Sequence, residues 1–202
     1  HQQAAAGFTT YLTSFCPGGR YCTIATYYAA NSFYQLKQYN EAIDQFSALA
    51  DIQGNPYMEE ACMRVAELSY DKQEYRTALY YFQRMSEVAS SNAKRTTALL
   101  GMLRCGYNLE DKASTLDVAT RLLEEPALDS LVCNEALYCR AKAHLQNQQY
   151  GLALVDLTPV AKEVRTAQGA EAKYLLATCY YHLGAIDMAE QEIMAFTQKQ
   201  TS

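Results

Sequence analysis

A chain of 202 residues can form one globular domain or an elongated array of repeats, so length alone does not choose between them. Hydrophobic residues make up 50% of the chain, Trp is absent, and 17 Tyr far outnumber 6 Phe, which is typical of a folded, tyrosine-rich protein. The net charge of -5, with acids and bases interspersed, excludes the basic face that nucleic-acid binding requires.

The apolar stretches of the chain are short. The longest, such as residues 25–30, fall far below the ~20 residues that span a bilayer, so we expect no transmembrane segment. The chain begins at His1, without Met or the features of a signal peptide, and we expect that any targeting signal was removed or never existed.

The cysteines favour no covalent or metal framework. Their number, 7, is odd, and the sequence contains no CxxC pair and no His at metal-ligand spacing. Most lie in predicted helices, where we expect them to be buried as small hydrophobic residues. Cys16, beside Pro17 in a predicted loop, is the exception.

A repeat runs through the chain. The segment AIDQF at residues 42–46 returns as ALYYF at residues 78–82, a period of 36 residues. Small residues recur at equivalent points, and aromatic or aliphatic residues follow at helical spacing. One equivalent position holds Ala25, Ala61, Ala98, Ala136 and Ala172, and a later one holds Phe46, Phe82, Ala119, Leu157 and Ile193.

The predicted elements begin with residues 2–14, where Ala4, Phe8 and Tyr11 share the register of the later second helices, so the chain is expected to begin in mid-repeat. Five two-helix units follow, and their short connectors allow only a reversal of direction. No polar helix follows the last unit, so we expect that the parent chain continues or that the ends self-associate. The predicted units of this single array, residues 1–202, are 1–19, 20–56, 57–91, 92–129, 130–167 and 168–202.

Pro159 lies inside a predicted helix of about residues 150–165. Because proline deletes one backbone donor and clashes with the preceding turn, it predicts a kink or break near residues 156–158. The alternative is that this helix starts later.

The segments SFYQLKQYNEAIDQF (residues 32–46) and CYYHLGAIDMAEQEI (residues 179–193) resemble the tetratricopeptide repeat pattern. The resemblance covers nearly the whole chain and implies an all-α, right-handed α-solenoid of antiparallel hairpins with about 11 helices. The third unit departs most from the pattern, with Lys112 and Thr115 where the family prefers an aromatic residue and Ala.

A narrower resemblance concerns the segment FTTYLTSFCPGGRY (residues 8–21) and the long periods of the repeat. Both are similar to a bacterial envelope subclass that includes TolA-binding and outer-membrane assembly lipoproteins. This resemblance implies a periplasmic or cell-envelope location. Apparently unpaired cysteines favour the cytoplasm instead, and both locations stay open.

No motif indicates catalysis, a cofactor or a metal. Of the three histidines, His1 is terminal, while His144 and His182 lie in helical positions that favour packing roles. Cys139 and His144 stand five residues apart and do not share a helix face, so they do not form a nucleophile pair. The Pro-Gly-Gly at residues 17–19 follows no strand and indicates a plain turn. We therefore predict a protein that is not an enzyme.

The resemblance implies a concave groove lined by the first helix of each unit. Tyr27 and Met63 stand where chaperone-binding members carry Lys, which argues against a clamp for chaperone tails. We expect at least Tyr27, Tyr138 and Tyr174 to be exposed in the groove, whereas Tyr34 could equally be wedged between helices. The predicted groove residues are Tyr27, Asn31, Tyr34, Met63, Glu67, Tyr70, Arg104, Tyr107, Tyr138, Lys142, Tyr174 and Tyr181, accompanied by Leu100, Leu145 and Thr178.

These residues suggest a scaffold that binds a peptide or protein partner with apolar anchors and some acidic character. It would be a piece of a larger bacterial envelope-associated protein. The alternative is a structural or oligomerisation module of a larger protein, which could be an enzyme, with no ligand in the groove.

Overall fold

The computed structural model of the chain describes residues 1–16, 18–163 and 165–200, with side chains described as far as residue 195. These residues form eleven α-helices and no β-strand, which confirms the all-α fold and the expected helix number. The helices are α1 (Gln2–Phe15), α2 (Cys22–Gln35), α3 (Tyr39–Ala50), α4 (Met58–Asp71), α5 (Tyr75–Val88), α6 (Asn92–Asn108), α7 (Lys112–Leu123), α8 (Ser130–Gln146), α9 (Tyr150–Val160), α10 (Ala167–His182) and α11 (Ile186–Gln200).

The same turn ends the first helix of each hairpin. Two residues before each second helix, the backbone adopts a positive φ, for example 62° at Gln73 and 79° at Gly184. In the last turn of this kind, Gly184 N donates to Tyr181 O, and Ala185 N donates to Tyr180 O at 2.9 Å. This pattern satisfies carbonyls that a helix end otherwise leaves unpaired. The five equivalent positive-φ residues are Lys37, Gln73, Glu110, Gln148 and Gly184.

Residues 1–105 form one compact unit. Within it α1 packs on α2, α2 on α3, α3 on α4 and α4 on α5. Ala25 and Ala61 are buried at the small-residue position of the repeat, and Phe46 and Leu49 of α3 are fully buried. The small residues let the helix backbones approach while the larger side chains fill the space between them, as the repeat predicts.

Residues 106–202 form a second compact unit, in which α7 packs on α8, α8 on α9, α9 on α10 and α10 on α11. Ala136 and Ala172 are fully buried, again at the small-residue position. Thr115 replaces Ala in this unit and is also buried, with its hydroxyl donating to Asp111 O at 2.8 Å. The departure from the repeat pattern is therefore tolerated because the extra polar atom has a partner.

Of the kink or break predicted near residues 156–158, the break is wrong, and so is the alternative of a later helix start. Helix α9 begins at Tyr150, runs through Pro159 and ends at Val160. Only one helical residue follows the proline, so the helix stops short of the expected residue 165. The helix ends with Ala161 N donating to Leu157 O at 2.9 Å.

The cysteine expectation is wrong for one pair. Cys16 and Cys22 form a disulfide across the turn between α1 and α2, with Cα atoms 5.8 Å apart. An odd total and a missing CxxC motif do not exclude a bridge between two cysteines six positions apart. The other five cysteines follow the expectation more closely, since Cys62, Cys105, Cys139 and Cys179 are buried and Cys133 is half-buried.

Candidate functional site

The first helices of residues 1–105 carry most of the predicted groove residues. Tyr34 lies on α2, Glu67 and Tyr70 on α4, and Leu100 and Arg104 on α6. Arg104 is exposed, and the other four side chains are half-buried. These side chains meet around one cavity of about 360 Å³, here named the first-helix cavity. Its lining comprises Tyr34, Glu67, Leu68, Tyr70, Asp71, Phe82, Thr97, Leu100, Gly101 and Arg104.

The floor of the first-helix cavity depends on a glycine. A Cβ atom on Gly101 would lie 2.5 Å from Cε1 of Phe82, far inside contact distance. Phe82 is itself nearly buried, with 6% of its surface exposed. Glycine at this position thus allows the ring of α5 to pack directly against the backbone of α6.

Arg64, which is not among the predicted groove residues, orders one wall of the cavity. Its Nη1 lies 3.2 Å from Oε2 of Glu67, and its guanidinium stands 5.0 Å from the ring centre of Tyr34. The spacing of three residues between Arg64 and Glu67 is the sequence signal that could have found it. Both contacts fix the orientation of side chains that line the cavity.

Tyr27 is engaged in packing between successive hairpins. Its ring stacks on Tyr57 with centroids 4.1 Å apart, and its hydroxyl donates to Oε2 of Glu60 at 2.9 Å. Burial, together with this hydrogen bond, raises the pKa of Tyr27. Asn31 Nδ2 donates to the Tyr27 carbonyl at 3.0 Å, within the same helix. Tyr27, Asn31 and the half-buried Met63 do not line the first-helix cavity.

The expected exposure of Tyr138 is wrong. Only 6% of its surface is exposed, and its hydroxyl donates to Oε2 of Glu171 at 2.6 Å. Burial first, and then this hydrogen bond, raise the pKa of Tyr138. Helical spacing could not show that the Tyr138 hydroxyl contacts the following hairpin.

Lys142 is also paired, with Nζ 2.7 Å from Oε1 of Glu171. The hydrogen bonds from Lys142 and Tyr138 lower the pKa of Glu171. Together with Tyr107, which is 38% exposed, Lys142 lines a smaller cavity of about 230 Å³ within residues 106–202. The Glu171 carboxylate therefore neutralises the charge of Lys142, one of the two cations predicted to lie in the groove.

Tyr174 and Tyr181 are the most exposed of the predicted groove residues for which the structure gives a value. They stand seven residues apart on α10 and are 63% and 64% exposed. Tyr174 is exposed, as expected, and its place in a groove stays a prediction. Neither residue lines the cavities described above. Phe196, which shares the inward-facing positions of α11 in the repeat, lies outside the residues whose side chains are described.

Two buried cysteines of the described residues are packed in the core and are not reactive thiols. Burial raises the pKa of Cys105 to about 12 and that of Cys179 to about 11, so their thiols stay protonated and unreactive at neutral pH. In the described part of the chain, no three His, Cys, Asp or Glu side chains cluster closely enough to hold a metal. No helix there is long and apolar enough to cross a membrane.

One buried polar cluster was not predicted from the sequence. Asp156 of α9 is 3% exposed and accepts two hydrogen bonds from Arg140 of α8, at 2.8 and 2.7 Å. Nε2 of His144 lies 3.9 Å from the same carboxylate, and its Nδ1 contacts Gln149 Oε1 at 2.8 Å. No cavity among those described opens onto this cluster, so it fastens α8 to α9.

No protein-family model matches the chain, and no curated protein matches it in sequence. Solved structures, by contrast, match the fold of the chain. The crystal structure of MamA matches with a TM-score of 0.68 at 12% identity, covering 90% of this chain and 93% of that one. YrrB, described as a TPR protein with an unusual peptide-binding site, matches with a TM-score of 0.68 at 15% identity over 98% and 94%.

A tetratricopeptide repeat protein from Parabacteroides merdae also matches, with a TM-score of 0.65 at 16% identity, over 89% of this chain and 67% of that one. At these identities the matches establish the fold alone. The chain therefore has the tetratricopeptide-repeat fold, an α-solenoid of helical hairpins.

Proposed function

We propose that this chain is a non-catalytic interaction module that binds a peptide segment of a partner protein along its first-helix face. The observation that carries the proposal is the first-helix cavity, which combines the apolar surfaces of Tyr34, Tyr70 and Leu100 with the charges of Glu67 and Arg104. Concave sites with aromatic walls and a few polar groups suit a side chain anchored from an extended or helical segment.

Tyrosine supports this role because it provides a large contact area with few rotatable bonds. The bound segment would place an apolar side chain in the first-helix cavity and carry acidic character toward Arg104. The description of YrrB as a TPR protein with a peptide-binding site lends support by analogy of fold.

A bacterial cell envelope is the proposed setting, with the chain as part of a larger protein. The resemblance of residues 8–21 to envelope proteins supports this setting. The Cys16–Cys22 disulfide adds independent support, because disulfides persist in oxidising compartments such as the periplasm.

A structural or oligomerisation module is the second candidate. The observation that favours it is the exposed apolar surface of the last hairpin, which includes Tyr174, Tyr181 and Met188. In that case the first-helix cavity would stay empty and the terminal hairpin would make the contacts.

The test is selection of peptides by display against the whole chain, followed by affinity measurement with a blocked cavity. Thr97 is exposed at the cavity lining on α6, so Thr97→Trp fills the cavity without disturbing the core. Thr77→Trp, at an exposed position on α5, is the matched control.

We expect Thr97→Trp to weaken the selected peptide at least about tenfold and Thr77→Trp to leave it unchanged. Selection of no peptide, or equal effects of the two variants, would contradict the proposal. Concentration-dependent self-association in sedimentation would then favour the oligomerisation module.

A further inference from the structure

A further cavity lies between α9, α10 and α11, within residues 106–202. Its volume is about 350 Å³, and it is distinct from the first-helix cavity. We name it the α9–α11 cavity. The side chains that determine its chemistry are Thr158, Lys162, Lys173, Leu176, Tyr180 and Glu192.

The preceding hairpin shows why the α9–α11 cavity is open. Leu176 of α10 occupies the repeat position of Arg140 on α8. The guanidinium of Arg140 reaches across that position to Asp156, to which it donates at 2.8 and 2.7 Å. The counterpart of Asp156 is Glu192. Leucine has neither the length nor the donors of arginine, so it leaves the corresponding space beside α10 open.

The opening of the α9–α11 cavity does not depend on where the array ends. Tyr138 of α8 donates to Glu171 of the following hairpin, whereas Arg140 contacts α9 and α7. Residues two apart point to nearly opposite sides of a helix. On α10 their counterparts are Tyr174 and Leu176. A further hairpin would therefore pack on the side of Tyr174, and the cavity lies on the side of Leu176.

The α9–α11 cavity carries more positive than negative charge. Lys162 is exposed, and Nζ of Lys173 lies 3.8 Å from Oε2 of Glu192, beyond hydrogen-bond distance. Only 17% of the Lys173 side chain is exposed, so its ammonium group has little water to replace the missing acceptor. In the preceding hairpins the repeat positions of the two lysines hold Glu124 and Leu137. The excess of cations is therefore particular to this cavity.

The exposed surface of α9 beside the cavity is apolar. Leu152 and Val155 are 52% and 66% exposed, and they stand three residues apart, on one side of the helix. Thr158, three residues later, already lines the cavity. On α7 the same two positions hold Ser114 and Asp117. The one charged side chain of α9, an aspartate, is buried, so an apolar face adjoins a cationic cavity.

Arginine, which fills the equivalent space as Arg140, does not suit the charge of this cavity. A guanidinium would face Lys162 and Lys173, and the Glu192 carboxylate is already shared with Lys173. Like charges repel strongly where burial limits screening by water. A carboxylate instead pairs with both lysines, and the half-buried Tyr180, whose hydroxyl can donate to it, also lines the cavity.

We propose that the α9–α11 cavity and the apolar face of α9 together bind an acidic segment of a partner protein. A Glu or Asp side chain of the segment enters the cavity and pairs with Lys162 and Lys173. Apolar side chains of the same segment cover Leu152 and Val155. The charge pair sets the register of the segment, and the apolar face supplies contact area.

The test is display of random peptides to the whole Thr97→Trp chain. Its first-helix cavity is blocked, so the outcome does not depend on the function proposed above. Each selected peptide is then measured by fluorescence anisotropy, with its acidic residue present or replaced by the corresponding amide. Thr158→Trp, at an exposed position, fills the α9–α11 cavity, and Val155→Asp gives α9 the residue of α7. Lys162→Glu reverses a charge of the cavity, and Lys112→Glu, at the exposed start of α7, is the matched control.

We expect the selected peptides to carry Glu or Asp beside apolar residues, and the amide to weaken binding about tenfold. Lys162→Glu and Thr158→Trp should each weaken it at least about tenfold and Val155→Asp about fivefold, while Lys112→Glu should leave it unchanged. Circular dichroism confirms that each variant is folded.

Selection of no peptide that responds to Thr158→Trp would overturn the proposal. Equal effects of Lys162→Glu and Lys112→Glu would do the same, as would selected peptides that carry Arg or Lys in place of the acid. Self-association of the chain that Thr158→Trp abolishes would assign the surface to a second copy and would also overturn it.

Discussion

The ion pair between Arg140 and Asp156 gives an asymmetric prediction, because its two partners differ in burial. The side chain of Asp156 is 4% exposed, while that of Arg140 is 23% exposed. Two charge-assisted hydrogen bonds join them, and they are the largest contribution that raises the pKa of Arg140. Removal of Arg140 leaves the Asp156 carboxylate buried without a partner. Removal of Asp156 leaves a guanidinium that can turn toward water.

We expect Arg140→Met to lower the free energy of unfolding by about 3–5 kcal/mol, the usual cost of an unpaired buried charge. Asp156→Leu should cost only about 1–2 kcal/mol, because the flexible arginine regains water. The double variant should recover most of the loss. Urea unfolding followed by circular dichroism measures all three, with Arg121→Met, at an exposed pair with Asp117, as the control. Equal losses from the two single variants would refute the reasoning, because they would show that the stranded carboxylate costs no more than the stranded guanidinium.

Three further predictions concern the turns, the disulfide and the floor of the first-helix cavity. Gln73→Gly should raise stability by about 1 kcal/mol in thermal unfolding, because glycine adopts the positive φ without a steric penalty, and a loss of stability would contradict this. Cys16→Ser with Cys22→Ser should remove about 2 kcal/mol of loop constraint and speed hydrogen exchange in α1, whereas unchanged exchange would show that the bridge is dispensable. Gly101→Ala should cost about 1 kcal/mol in the wild type, since overpacking against Phe82 outweighs the gain in helix propensity, but should stabilise a Phe82→Leu background; the same sign in both backgrounds would argue against the clash.

The repeat was readable from the sequence because its small residues must be buried for the helices to approach. Ala61, Ala98, Ala136 and Ala172 are fully buried, at the position that their spacing identified. The second helices also begin one repeat period apart, for example at Tyr39 and Tyr75. These features follow from period and side-chain size, which a single sequence contains.

Other features depend on contacts between hairpins, which spacing does not reveal. Tyr138 shares a helix face with its groove neighbours, yet Glu171 of the next hairpin binds its hydroxyl. The Arg140–Asp156 pair joins two helices through residues sixteen positions apart and follows no motif. The Cys16–Cys22 bridge could not be predicted, because the sequence does not show how closely the turn brings α1 and α2 together.

Hydrogen exchange of the whole chain, with and without a peptide selected by display, tests the central claim most directly. If the peptide binds in the first-helix cavity, amides of α2, α4 and α6 around Tyr34, Tyr70 and Leu100 should gain protection, and Thr97→Trp should abolish the gain. Protection confined to α10 and α11, or protection that persists in Thr97→Trp, would contradict a peptide site on the first-helix face.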